Sequence, residues 1–144
     1  MTHIAKSTTI NAPIDRVFGI IDDPARTTEL NPDLKLLSHR PASAGGYDNE
    51  WEFNMGGMKF TGQTKVKEYQ KPNRVVLETT GGIPSNWQWT FTPEGSSTRA
   101  SVTLDYTVPG SLLGVVADKL IIERQNDQVV DRLLTNLKRI AESA

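Results

Sequence analysis

The sequence predicts an α+β fold: a curved antiparallel sheet of about seven strands wrapped around a long C-terminal helix, with two short helices after strand 1. Three observations predict it. Much of the 144-residue chain falls into short segments that alternate apolar and polar, the pattern of strands with one solvated face. Two amphipathic stretches bounded by proline follow the first of these segments. After Pro109-Gly110 no proline recurs, and Val130, Leu133, Leu134, Leu137 and Ala141 repeat at the spacing of one helical face, widened by Val129 and Ile140.

Strand 1 is expected over residues 3–10, a β-branched run bounded by Ile4 and Ile10. Asn11-Ala12-Pro13 ends it, and Asn11 or Ala12 is expected to cap a short helix with Pro13 at its first position, where a missing N–H is harmless. Ile14, Val17, Phe18 and Ile21 form the buried side of that helix. Asp22-Asp23-Pro24 stops it, and a second short helix spans Ala25–Leu30 before Asn31-Pro32.

The remaining strands follow in sequence: Leu34–Arg40, Tyr47–Met55, Met58–Tyr69, Arg74–Thr80, Asn86–Thr92 and Thr98–Val108. Gly45-Gly46, Gly56-Gly57, Pro72-Asn73 and Gly95 punctuate them. Glutamates on the outer face of the third strand oppose lysines on the fourth, which predicts a cross-strand charge ladder. Gly81–Ser85 reads as a loop. A helix from about Leu112 to Ala141 would be roughly 45 Å long at ~1.5 Å per residue, and Lys138 and Arg139 suit its C-terminal dipole.

Projecting the helical face back from Val130 passes through Asn126, Glu123 and Lys119, then Val116 and Leu112. These polar groups interrupt an apolar stripe, and three readings follow. A continuous helix would turn them into a wet or ligand-filled cavity, since burying them unpaired costs several kcal/mol. A break near Glu123–Gln128 would rotate the earlier stripe (Leu113, Val116, Ala117, Leu120) away. In the third reading residues 123–128 are solvated surface.

Composition removes several function classes. There is no cysteine, so disulfides, thiolate metal sites and thiol nucleophiles are excluded. Sixteen basic residues against 17 acidic ones give a net charge of −1, which makes no electrostatic case for nucleic acid. No window approaches the length of a membrane span or a signal segment, so a soluble cytoplasmic single domain over 1–144 is expected. His3 and His39 stand apart without metal-ligand spacing. Nucleophile elbows, phosphate loops and dinucleotide fingerprints are missing, so no cofactor and no metal are expected.

The order of elements carries a resemblance. A first strand followed by Asn11–Phe18 (Asn-Ala-Pro-Ile-Asp-Arg-Val-Phe), then Asp22–Arg26 and Asn31-Pro32, resembles the START/polyketide-cyclase superfamily (SRPBCC, or Bet v 1-like). So does the end of the chain, from Tyr106 through Pro109-Gly110 to Gly114 and on to a helix finishing at Leu133–Lys138. The layout is similar to relatives of the birch-pollen allergen and the coenzyme Q-binding proteins. The resemblance implies a helix-grip fold with an apolar cavity between sheet and terminal helix. Its members bind lipids, sterols, quinones or polyketides, cyclise aromatic polyketides, or act as binding partners without chemistry. Where members often carry tryptophan near the end of the second short helix, this chain has Leu30.

The inward-facing residues supply the expected lining: Trp51, Phe53, Met55, Met58, Phe60, Trp87, Trp89, Leu104 and Tyr106 from the strands, with Val116, Leu120, Glu123 and Asn126 from the helix. Three tryptophans and two methionines suit a flat or flexible apolar ligand. Glu123, Tyr106 and Asn49 are the acid–base candidates, because a carboxylate desolvated among tryptophans has its pKa raised. Lys119, four residues before Glu123, would instead hold it ionised. The reading is therefore a protein that binds a small hydrophobic ligand such as a lipid, quinone, sterol or aromatic polyketide, acting as a monomer or weak homodimer. A polyketide cyclase/dehydrase-like enzyme and a partner-binding adaptor are the alternatives, with Glu123 as the catalytic candidate.

Overall fold

A computed structural model describes residues 2–55, 57–110 and 119–143, the side chains of Met55 and Lys119 excepted. Expectations that fall on Leu112, Leu113, Val116 and Ala117 lie outside the described residues. Seven strands form one antiparallel sheet: β1 (Thr2–Ile10), β2 (Leu34–Pro41), β3 (Tyr47–Met55), β4 (Met58–Gln70), β5 (Arg74–Thr80), β6 (Ser85–Glu94) and β7 (Ser97–Tyr106). Their spatial order is β1-β7-β6-β5-β4-β3-β2. It is a meander from β2 to β7, closed by β1 pairing with β7 from Thr2↔Tyr106 to Ile10↔Thr98.

Helix α1 (Ile14–Asp22) starts one residue later than expected, with Pro13 rather than Asn11 or Ala12 at the cap position. The Pro13 carbonyl accepts from the amides of Arg16 and Val17, so proline contributes an acceptor where its missing donor costs nothing. Val17 and Phe18 are fully buried. The second short helix is split: a 3₁₀ turn over Pro24–Arg26 is capped by Asp23, whose Oδ1 accepts from the Ala25 amide at 3.0 Å, and α2 (Thr27–Leu30) follows.

Helix α3 (Lys119–Glu142) is continuous through Glu123–Gln128, which removes the broken-helix reading. It buries Ile122, Val130, Leu134, Leu137, Ile140 and Ala141. Polar ties run beside β1 in step with it. Glu123 accepts from the Thr2 hydroxyl at 3.2 Å, and Lys6 bridges Asp127 and Asp131 at 2.9 and 2.7 Å. Lys138 donates to the Thr9 carbonyl at 2.7 Å, and Glu142 accepts from the Asn11 amide at 2.8 Å. Arg16 closes the helix end by donating to the Ala141 and Ser143 carbonyls.

The core is aromatic where α1 crosses the sheet. Phe18 meets Tyr69 and Phe91 edge-on at 5.6 and 5.7 Å, and Phe91 stacks on Trp89 at 5.9 Å. Tyr69 reaches this core because β4 carries a bulge between Val66 and Glu68, which switches the alternation set by Phe60, Thr64 and Val66. Its ring then packs under the Gly45-Gly46 turn, where a Cβ at Gly45 would sit 2.7 Å from Tyr69 Cγ. A second bulge, between Leu36 and Ser38 of β2, leaves Leu37 exposed. Lys59–Glu52 at 3.7 Å is part of the expected outer ladder between β3 and β4, and Lys67–Glu78 at 3.8 Å joins β4 to β5 instead.

Candidate functional site

Between the concave sheet face and α3 lies a cavity of about 100 Å³. Its floor is Trp51 on β3. Gly62, directly opposite on β4, has no side chain, and an ideal Cβ there would fall 2.6 Å from Trp51 Cζ2. The indole therefore lies over the neighbouring strand, and its Nε1 donates to the buried Thr64 hydroxyl at 2.9 Å. Trp87 and Leu104 continue the floor across β6 and β7, while Phe53 and Phe60 close one end.

The loop between β5 and β6 folds back over β4. Gly81 and Gly82 adopt φ of 85° and 57°, the left-handed region that glycine enters without strain. A Cβ on Gly82 would lie 3.2 Å from Phe60 Cβ, so the loop runs close over that ring and delivers Ile83 to the cavity. Thr79 and Ser85 flank it, and their hydroxyls are hydrogen-bonded to each other. From α3, Asn126 and Val129 form the roof.

Two polar atoms in this lining are buried without a partner among the described residues: Asn31 Oδ1 and Tyr106 OH. Tyr106 is 2% exposed and Asn31 8%. Asn31 is held by its backbone: its amide donates to Thr27 O at 2.9 Å, and its carbonyl accepts from Leu34 at 3.0 Å. Asn136 on α3 fixes the preceding residue by donating to Leu30 O at 2.9 Å. Tyr106 is held by β7, paired on one side with Thr2 and on the other with Ser85.

A model of the family described as "Polyketide cyclase / dehydrase and lipid transport" matches residues 1–142. The chain belongs to that family. Among solved structures, family-like folds recur at low identity. A START superfamily protein from Mycobacterium smegmatis has a TM-score of 0.77 at 16% identity, covering 97% of each chain. The Zhui aromatase/cyclase from Streptomyces sp. R1128 has a TM-score of 0.81 at 13% identity, covering 98% of this chain and 93% of its own. TTHA0849 from Thermus thermophilus has a TM-score of 0.76 at 24% identity, covering 99% of this chain and 100% of its own. At these identities the likeness is one of fold. No curated protein matches the chain.

In this polyketide cyclase/dehydrase family member the expected lining residues separate into groups. Trp51, Phe53, Phe60, Trp87, Leu104, Tyr106 and Asn126 converge on the cavity. Trp89 stacks on Phe91 and lines an adjoining space of about 200 Å³, which shares Asn31, Trp51, Thr79 and Trp87 with the first. Asn49 lines that space too. Leu30 helps bound it. A third space of about 80 Å³ lies beyond, bordered by Asp22, Tyr47, Asn49 and Tyr69. Tyr69 donates its O–H to Asp22 at 2.6 Å, and burial, with that bond, pushes its pKa up to about 12.

Two expectations are corrected. Met58 is 37% exposed, because the first residue after the β3–β4 turn projects from the sheet margin. Leu120 is 70% exposed: burying Ile122 turns a residue two positions earlier by ~200° to the outer face. The Met55 side chain and Val116 lie outside the described residues.

Glu123 is half-buried, but its carboxylate accepts from Thr2 on β1, and the residue is not among the described residues lining the cavity. Asn31, Thr79, Ile83, Ser85 and Val129 join the lining without having been named as lining residues from the sequence. For Asn31 the available signal was its place immediately before Pro32, which read as a helix stop.

Proposed function

We propose that this protein binds a small, uncharged, largely apolar molecule in the cavity between the sheet and α3. One observation carries the reading. Neither Asn31 Oδ1 nor Tyr106 OH has a protein partner among the described residues, yet both sit in a wall that is otherwise mostly indole, phenyl and aliphatic surface. Leaving a buried polar group unpaired costs about 1–3 kcal/mol, a penalty that an occupant of the cavity removes. The described lining residues are all uncharged, which disfavours a desolvated ion.

The family and the aromatase/cyclase fold relative support a cyclase-like reaction as the second reading. Tyr106 is the titratable side chain among the described lining residues, so proton transfer to a bound substrate would fall to it. Binding of aromatic and aliphatic probes, followed by quenching of Trp51 and Trp87 fluorescence, tests the first reading. Saturable quenching, lost when Phe53 and Phe60 are both replaced by tryptophan to fill the cavity, supports it. Probes that quench both proteins alike would defeat it.

A further inference from the structure

We infer that the space over Trp51 selects an aromatic ring bearing a neutral hydroxyl group, in preference to the same ring without it or to a long acyl chain. The inference rests on the binding role proposed above and names its ligand class. Size gives the first constraint. Ligand sites for drug-sized molecules are roughly 300–1,000 Å³, and a dry cavity of about 150 Å³ accepts benzene. The space of about 100 Å³ over Trp51 is on the scale of one ring, and the adjoining space of about 200 Å³ past Trp51 and Thr79 takes what that ring carries.

Hydrogen-bond chemistry gives the second. Asn31 Oδ1 is an acceptor and asks for a donor, whereas Tyr106 OH gives or takes one bond. A phenolic hydroxyl donates to the first or exchanges bonds with the second. A carbonyl satisfies only Tyr106, and a carboxylate places negative charge against the Asn31 oxygen. Thr79 and Ser85 hydroxyls are already committed to each other, so they compete little for the ligand. The anchors are also preorganised: Asn31 is pinned by Thr27, Leu34 and the Asn136 clamp on Leu30, and Tyr106, at the end of β7, is paired with a strand on each side. Ordering costs on binding are correspondingly small.

The test compares p-cresol, toluene and hexadecanoate by calorimetry on the intact chain, its Tyr106→Phe variant and its Asn31→Leu variant. Toluene is the more hydrophobic ring, so burial alone ranks it first. We expect p-cresol to bind at least tenfold more tightly than toluene, and Tyr106→Phe to erase most of that ratio while toluene affinity holds. Retained toluene affinity shows that the variant is folded, and Asn31→Leu is judged against the same standard. Equal affinities, or toluene ahead, overturn the hydroxyl selection and leave the binding role standing. Hexadecanoate binding without p-cresol binding overturns the aromatic class and again leaves the role. If none of the three binds, the inference fails together with the reading beneath it.

Discussion

Trp51 and Thr64 are joined by a buried hydrogen bond of 2.9 Å, from indole Nε1 to hydroxyl, with the ring laid across Gly62 between them in the sheet. The empty position at Gly62 is what lets a tryptophan lie flat enough to form a cavity floor. Gly62→Ala is expected to lift the ring, break the Thr64 bond and destabilise the protein by about 1–3 kcal/mol, the usual cost of forcing volume into a packed site. A denaturation midpoint unchanged from the parent would refute the close packing.

Tyr106→Phe has an unusual expected sign. Removing one oxygen from a buried residue normally costs stability, but this oxygen has no partner to lose among the described residues. The ligand-free variant is expected to be more stable by about 1 kcal/mol, from the desolvation penalty relieved. The midpoint of urea unfolding should rise with the slope unchanged. A fall would mean that the hydroxyl is bonded in solution.

The Tyr69–Asp22 bond predicts an alkaline limb. Burial first, then the bond to Asp22, raise the folded-state pKa from 10 to about 12. A raised folded pKa means that the unfolded state loses its proton first. The contribution is therefore whole below about pH 10 and is lost as pH climbs to about 12. Denaturation midpoints measured from pH 9 to 12 should fall more steeply for the parent than for Tyr69→Phe. Parallel curves would contradict the assignment.

Glu123→Gln is expected to change little. The carboxylate serves a tie to Thr2 on β1 rather than the cavity, and partly exposed polar pairs contribute less than about 1 kcal/mol. Ligand affinity of the variant should match the parent within twofold. A tenfold change in affinity would return Glu123 to the binding site.

The strands were legible because alternation is a local signal. Tyr47–Met55 and Arg74–Thr80 have the bounds that the sequence predicts. The bulges at β2 and β4 were not, since a bulge is a backbone event that no residue type announces. Continuing the alternation from Phe60 and Val66 turns Tyr69 outward, whereas the bulge turns it into the core beside Phe18.

Asn31 illustrates a different limit. Its place before Pro32 marks the end of a helix, but its burial depends on Asn136, more than a hundred residues later in sequence, clamping Leu30. For Glu123 the angle does not discriminate: projection from Val130 puts it ~20° off the face, nearer than the ~40° of Asn126, which does line the cavity. What the sequence does not announce is that its carboxylate accepts from Thr2, at the other end of the chain.

The ties between α3 and β1, and the bulge in β2, bear on how these molecules behave when crowded together. An open sheet has two outermost strands whose unsatisfied backbone groups invite strands from other molecules to join. On β1, the Thr9 carbonyl and the Asn11 amide just past its end are already taken by Lys138 and Glu142. On β2, an incoming strand would meet an interrupted register at Leu37, a proline without an N–H at Pro41, and the exposed cations Lys35 and Arg40. The same helix that roofs the cavity thus guards one margin of the sheet against fibre-like growth, while irregular backbone guards the other.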